Sequence, residues 1–374
     1  MNKKIDVLVV GAGLSGIGAG YHLQKKCPET SFLILEGREN IGGTWDLFKY
    51  PGIRSDSDMY TLGYNFKPWK EQKAIADAPS ILKYLNETVE EFNLKSKIRF
   101  GKYVKKARWS SDSNQWTVDI EDKKTGKFSQ ILCSFIFMCS GYYSYKEGYT
   151  PHFEGKENFK GDIIHPQKWD PSFDYSNKKI VVIGSGATAV TIVPEMAKTA
   201  KHVTMLQRSP TYVVAAPERD NLANKLRKYL PLKFTYWFIR WRNILRQQYY
   251  FRLCKKYPKG VKNVIIREVK KKLGNDFDVK THFTPKYNPW DQRMCLVPDG
   301  DLFEQINQGK ASVVTDHIKN FTENGILLKS GKELKADVII TATGLNLEML
   351  STVEFFIDNK SVDISKTVTY KGMM

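Results

Sequence analysis

The chain has 374 residues, 41% apolar and 13% aromatic, enough for two cores of ordinary globular composition, which excludes a low-complexity or disordered protein. Its formal net charge is +18, but sixteen Lys or Arg against one acidic residue fall between Asn221 and Gly274, so that segment carries +15 and the remainder only +3. Five cysteines (Cys27, Cys133, Cys139, Cys254 and Cys295), none in CxxC spacing, argue against a disulfide framework or a metal site and fit a reducing cytosol.

The N-terminus, MNKKIDVLVVGAG, runs into a glycine turn rather than a small-residue cleavage site, so no signal peptide is expected. No apolar run reaches the roughly eighteen residues of a transmembrane helix. The first forty residues predict strand, turn, helix and strand. IDVLVV leads to Gly11-Ala12-Gly13-Leu14-Ser15-Gly16, a helix runs to about Lys26, and SFLILE follows. This is the context a GxGxxG needs: glycines let backbone amides approach a pyrophosphate at the positive end of the helix. Glu36 ends the second strand, where a carboxylate accepts from a ribose hydroxyl and repels a 2′-phosphate, selecting FAD or NAD over NADP.

Next comes FKGDIIHPQKWD, in which Phe159, Gly161, His165, Trp169 and Asp170 stand at regular offsets. A lone histidine there invites an acid-base reading. Its place after Gly141, where the first nucleotide unit closes, and before Lys179, where a second opens, instead predicts a connector or hinge. The second unit repeats the first: KKIVVI, then Gly184-Ser185-Gly186-Ala187-Thr188-Ala189, a helix, and HVTMLQRS. Ala189 replaces the third glycine, which the pattern tolerates. Arg208 stands where the first unit has Glu36, and an arginine there suits the 2′-phosphate of NADPH. Two such sites of opposite charge on one chain imply hydride transfer between two cofactors.

In the basic segment, Phe234, Trp237, Phe238, Trp241 and Leu245 recur at helical spacing and are expected to pack inward, leaving solvated arginines outside. Peripheral contact with an anionic membrane is the second reading. Nucleic acid is set aside because no binding motif accompanies the charge. FIFM before Cys139-Ser140-Gly141-Tyr142 and DVIIT before Ala342-Thr343-Gly344 predict strands ending in glycine turns.

In this order GAGLSG, GGTW, YPGIRSDSD, FKGDIIHPQKWD, GSGATA, MLQRSP, YNPWDQRM and TATGL resemble the class B flavin monooxygenases, more narrowly the Baeyer-Villiger branch and especially its ethionamide-activating and long-chain alkane-oxidising members. The dodecapeptide matches the fingerprint FxGxxxHxxxW[P/D] at every fixed position. The resemblance implies a second FAD-contacting turn at Gly42, Gly43, Thr44 and Trp45, an active-site aspartate at Asp56 that also contacts the cofactor, and a mobile active-site arginine at Arg293. It places the adenosine phosphate at Gln207, Arg208 and Ser209. Where many members carry a lysine before the active-site arginine this chain has Gln292, so preference for NADPH over NADH would rest mainly on Arg208.

The implied activity is an FAD-containing, NADPH- and O2-dependent monooxygenation through a flavin peroxide: Baeyer-Villiger oxidation of ketones, sulfoxidation, or both. The substrate would be a small apolar carbonyl, sulfide or long-chain compound, and no metal is implied. Alternatives are an N- or S-oxygenating flavin monooxygenase, a long-chain alkane oxidase, an NADPH-dependent flavin reductase without oxygenation, or a membrane-associated non-catalytic protein. The expected fold is α/β, with two Rossmann-like doubly wound dinucleotide-binding domains and a helical insertion in the second. Residues 1–150 plus 333–374 form the FAD domain, 151–178 the linker, 179–216 plus 285–332 the NADPH domain, and 217–284 the basic insertion. Members of the family continue well past the final KGMM, so the FAD domain is expected to be C-terminally incomplete. The expected location is cytoplasmic, with the inner face of the cell membrane as the peripheral contact.

Overall fold

The computed structural model describes residues 3–370; residues 1–2 and 371–374, assigned above to the FAD domain, lie outside the described residues. The chain forms two compact units, the first of Met1–Leu47, Pro79–Tyr145 and Asn346–Met374, the second of Phe48–Ala78 and Lys146–Leu345.

The first unit is built on an eight-stranded mixed sheet. Its order is Lys360–Ser361, Glu354–Ile357, Lys102–Ser110, Gln115–Asp122, Phe128–Met138, Lys3–Val10, Phe32–Leu35, Ile98–Arg99. Lys3–Val10 lies parallel between Phe32–Leu35 and Phe128–Met138, with Val10 opposite both Leu35 and Met138. Continuous apolar runs such as FLIL, buried at all four positions, are what a parallel strand covered on both faces requires. Leu14–Lys26 is the helix that follows the first glycine turn.

The second unit holds a five-stranded sheet, parallel throughout, in the order Ala311–Thr315, His202–Gln207, Lys179–Ile183, Val338–Thr341, Asp162–Ile164. The helix Ala187–Met196 follows its glycine turn. Both units are therefore α/β, each with a parallel strand–turn–helix–strand segment.

Three boundaries differ from expectation. Val338–Thr341 does not return to the first unit: its four buried residues pair with Lys179–Ile183 on one side and Asp162–Ile164 on the other. Residues 151–178 are not a free linker, since they supply the edge strand Asp162–Ile164. Residues 48–78 belong to the second unit. The basic insertion shares that unit's core, with Val269, Leu273, Val279 and Phe283 packed alongside Ile180, Val193 and Leu302.

The long helix Leu232–Lys256 reverses the expected orientation. Phe234, Trp237, Phe238, Trp241 and Leu245 are exposed, whereas Thr235, Tyr236, Ile239 and Asn243 are buried. The inward face is polar because it has carbonyls and carboxylates to satisfy. Arg240 donates to the carbonyls of Tyr60 and Gly63 at 2.7 Å each, and the Tyr236 hydroxyl donates to Tyr64 O at 2.8 Å. Asn243 donates to Asp58 at 2.9 Å, and Arg242 pairs with Asp220. The arginines expected outside thus include two that bind inward.

Candidate functional site

The first glycine turn leaves no room for side chains between strand and helix. A Cβ at Gly11 would lie 2.4 Å from the Cys139 carbonyl oxygen, and one at Gly16 would lie 1.8 Å from the Gly11 carbonyl oxygen. Gly13 caps Leu14–Lys26 in extended conformation with no side-chain hydrogen bond over the helix end, which carries the positive pole of the helix. Glu36 is buried at the end of Phe32–Leu35. Its carboxylate accepts from the Ala12 amide at 2.8 Å and the Arg38 amide at 2.9 Å, tying turn to strand end.

A cavity of 340 Å³ opens here within the first unit. Gly11, Gly13, Glu36, Gly43, Thr44 and Trp45 all line it, so the structure brings together every residue the sequence placed at the FAD site except Gly16, which lies beneath the turn, and Asp56, which is in the other unit. Arg38 was missed. Its guanidinium donates to Gly43 O at 2.8 Å, pairs with Asp46 at 3.0 Å and sits over the Tyr145 ring at 5.3 Å. The signal was available as an arginine two residues after the strand-ending glutamate.

In the second unit Gly184 takes the corresponding place, its missing Cβ 2.4 Å from the Ala342 carbonyl oxygen. Gly186 caps the helix Ala187–Met196, Thr188 is half-buried in its first turn, and Ala189 is fully buried against the sheet. Ser185 reaches the end of the next strand, its hydroxyl 2.8 Å from Thr211 Oγ1 and 3.4 Å from Ser209 O. Arg208 and Ser209 are exposed there, beside the turn. Gln207 is not: it is buried, and its amide donates to His282 O and Thr315 Oγ1 at 2.8 Å each, so it holds the protein's own frame and faces no open site.

The fingerprint residues separate by role. Phe159 and Trp169 are buried, Phe159 among Val181, Leu206 and Ile339, and Trp169 edge-on to Phe173 and Tyr175 at 6.0 Å. Gly161 passes against the Asp337 carbonyl, and Asp170 caps a surface turn through Ser172. His165 uses both ring nitrogens: Nδ1 accepts from the Gln167 amide at 3.2 Å, which leaves Nε2–H to donate to Gly344 O at 3.1 Å. The Tyr149 amide donates to the same carbonyl, at 3.1 Å. Burial, opposed by the bonds to Gly344 and Tyr149, holds the imidazole below its ordinary pKa.

Asp56 and Arg293 are exposed, and both lie near the buried Cys295. The Cys295 thiol is pushed up to about 12 by burial and by the Asp56 carboxylate, against the opposing Arg293 guanidinium. It donates to Ser185 O at 3.7 Å, linking the second glycine turn to the strand Met294–Pro298 that follows Arg293. A larger cavity of 900 Å³ within the second unit takes in Asp56, Cys295, Arg246 and Trp290. Sequence reasoning assigned Cys295 no role, because a buried cysteine carries no motif.

Comparison with known proteins agrees with the α/β fold. The FAD-containing monooxygenase EthA of Mycobacterium tuberculosis is 54% identical over 375 residues, covering 100% of this chain and 76% of the relative. The probable FAD-binding monooxygenase AlmA of Acinetobacter baylyi is 51% identical, covering 100% of this chain and 75% of its own length. Among solved structures, an oxidized steroid monooxygenase bound to NADP aligns with TM-score 0.77 at 23% identity, over 94% of this chain and 74% of that one. A cyclohexanone monooxygenase bound to epsilon-caprolactone aligns with TM-score 0.77 at 21% identity, over 94% and 76%. At these identities the structures speak for the fold. The pattern of the flavin-binding monooxygenase-like family matches residues 2–374, and the chain belongs to that family of flavoprotein monooxygenases.

Proposed function

We propose that the protein is an FAD- and NADPH-dependent monooxygenase of the Baeyer-Villiger type, with FAD in the first unit and NADPH on the second. The observation that carries this reading is the paired contrast of two glycine turns, one ending on buried Glu36 and the other on exposed Arg208. The first site fits FAD by its own structure. Side-chain-free backbone at Gly11 and Gly13 lines the cavity where a pyrophosphate would sit, and Gly16 lets the helix pack close beneath it. Glu36 supplies an acceptor at the cavity wall, and Gly43, Thr44 and Trp45 line the same space. On the second unit the Gly184–Ala189 turn takes the pyrophosphate and Arg208 the 2′-phosphate.

Bound FAD supplies hydride acceptance from NADPH and activation of O2 for insertion of one oxygen atom. The chain's part is to position and to set charge. Arg293 offers a fixed positive charge to an oxygen that gains negative charge, and Asp56 tunes that charge and orients the guanidinium. The neutral Cys295 thiol, which feels both charges, adds none of its own at pH 7. His165 is no general base on this reading but a positioning residue at Gly344.

The substrate class proposed is a small apolar ketone or sulfide, with long-chain compounds as a second class suggested by the AlmA relative. A cytoplasmic location with peripheral membrane contact belongs to the same proposal, and the exposed face of the long helix supports that contact. The direct test is to load the protein with FAD and supply NADPH, O2 and a panel of ketones, sulfides and alkanes, identifying products by mass. Esters, lactones or sulfoxides are expected. Consumption of NADPH with no oxygenated product from any substrate would leave a flavin reductase. Arg208→Ala should raise the KM for NADPH about tenfold or more while leaving that for NADH unchanged, the loss expected for one phosphate contact.

A further inference from the structure

The helix Leu232–Lys256 carries its apolar stripe outward. Phe234, Trp237, Trp241 and Leu245 are 51%, 56%, 48% and 60% exposed, and Phe238 joins them. At about 100° per residue these positions fall within an arc of roughly 100°, opposite the buried Thr235, Ile239 and Asn243. No segment among the described residues covers them. Isolated exposed apolar side chains need no explanation, but five large ones in register along three turns do.

The charge around the stripe selects the occupant. Lys228 and Lys233 precede it, Arg252 and Lys256 follow it, and the surrounding segment carries +15. All four of these side chains are exposed. Tryptophan favours the boundary between apolar and polar media, because its ring is apolar and its indole N–H seeks an acceptor. No helix among the described residues is long and apolar enough to cross a membrane, so an embedded span does not account for the face. A basic helix with aromatic residues on one face suits shallow burial at an anionic bilayer surface.

We propose that this face docks on an anionic lipid bilayer, with Phe234, Trp237, Phe238, Trp241 and Leu245 entering the headgroup boundary and Lys228, Lys233, Arg252 and Lys256 meeting the lipid phosphates. The inference deepens the membrane contact included in the proposed function and rests on that part of it alone. Vesicle binding is therefore measured without turnover, and its failure would leave the monooxygenase reading untouched.

The experiment floats the purified full chain with phosphatidylglycerol–phosphatidylcholine vesicles and with phosphatidylcholine alone, following tryptophan emission. Binding to the anionic vesicles with a blue shift is expected, weakening as salt rises towards about 0.5 M. Trp237→Ser with Trp241→Ser should lower partitioning about tenfold or more, and Lys228→Gln with Lys233→Gln should weaken binding to anionic vesicles only. Leu245→Ser alone, with an unchanged melting temperature, guards against misfolding of the double variant. No flotation, or flotation equal in the tryptophan variants, overturns the proposal. So does a dimer in light scattering that the tryptophan variants dissociate, which would make a second copy of the chain the occupant.

Discussion

His165 has both ring nitrogens committed, one to the Gln167 amide and one to the Gly344 carbonyl. A general base needs a free lone pair facing the substrate, and this ring offers none. His165→Ala should therefore slow turnover while flavin reduction by NADPH persists in stopped-flow traces; complete loss of reduction would restore the acid-base role. The ring's pKa also sets a pH dependence. Burial depresses it below 6.5, so the folded state stays neutral while the unfolded chain takes up a proton. This contribution is fully present above pH 6.5 and is lost as pH falls through the lower folded value. His165→Asn keeps an acceptor for Gln167, loses the Gly344 bond at a cost of about 1 kcal/mol, and should flatten the acid side of a stability–pH profile. The sequence made His165 conspicuous and its spacing placed it beside a turn. It could not show that the ring's partner lies 179 residues away at Gly344.

At the scale of elements, what was legible depended on whether neighbours were implied by pattern. The glycine turns were readable because strand, turn and helix are contiguous and each constrains the next. Val338–Thr341 was misassigned because a short buried run fits any parallel sheet, and only pairing decides which. The long helix shows a further limit: periodicity reveals an aromatic stripe but not which way it faces. That was decided by Arg240, whose guanidinium meets the last carbonyls of the short helix Met59–Leu62 and of Gly63. Arg240→Ala should cost about 2 kcal/mol in urea unfolding by leaving two carbonyls without that donor, and Arg240→Lys should recover only part of it. Gly148 is a second case. A Cβ there would lie 1.9 Å from the His165 ring, so Gly148→Ala should cost about 1–3 kcal/mol. Adding His165→Ala should recover some of this, a coupling of about 1 kcal/mol or more in a double-mutant cycle.

For the whole molecule, two units with separate glycine turns predict separable ligand effects. FAD should raise thermal stability in the wild type and not in Gly16→Ala, while NADPH should still stabilise that variant. Gly184→Ala should show the reverse. At ligand concentrations of about 100 Kd each gain amounts to about 2.7 kcal/mol, readable by calorimetry. If both ligands lost their effect in either variant, the two sites would not be independent. The glycine turns were legible from backbone motifs, and Asp56 and Arg293 only through resemblance; the buried Cys295, on which both of their charges act, carried no motif at all.

The bond from Tyr149 to Gly344, clasped by His165, brings the two ends of the segment 149–344 side by side. Adjacent termini are what allow a folded piece to be spliced into a surface loop of a host without stretching it. Residues 149–344 thus start and end at one point, with the fingerprint histidine as the staple there, while residues 48–78 complete the same unit from elsewhere in the chain. A chimera exchanging that segment between relatives should be spliced at Tyr149 and Gly344, with His165 retained and residues 48–78 exchanged along with it.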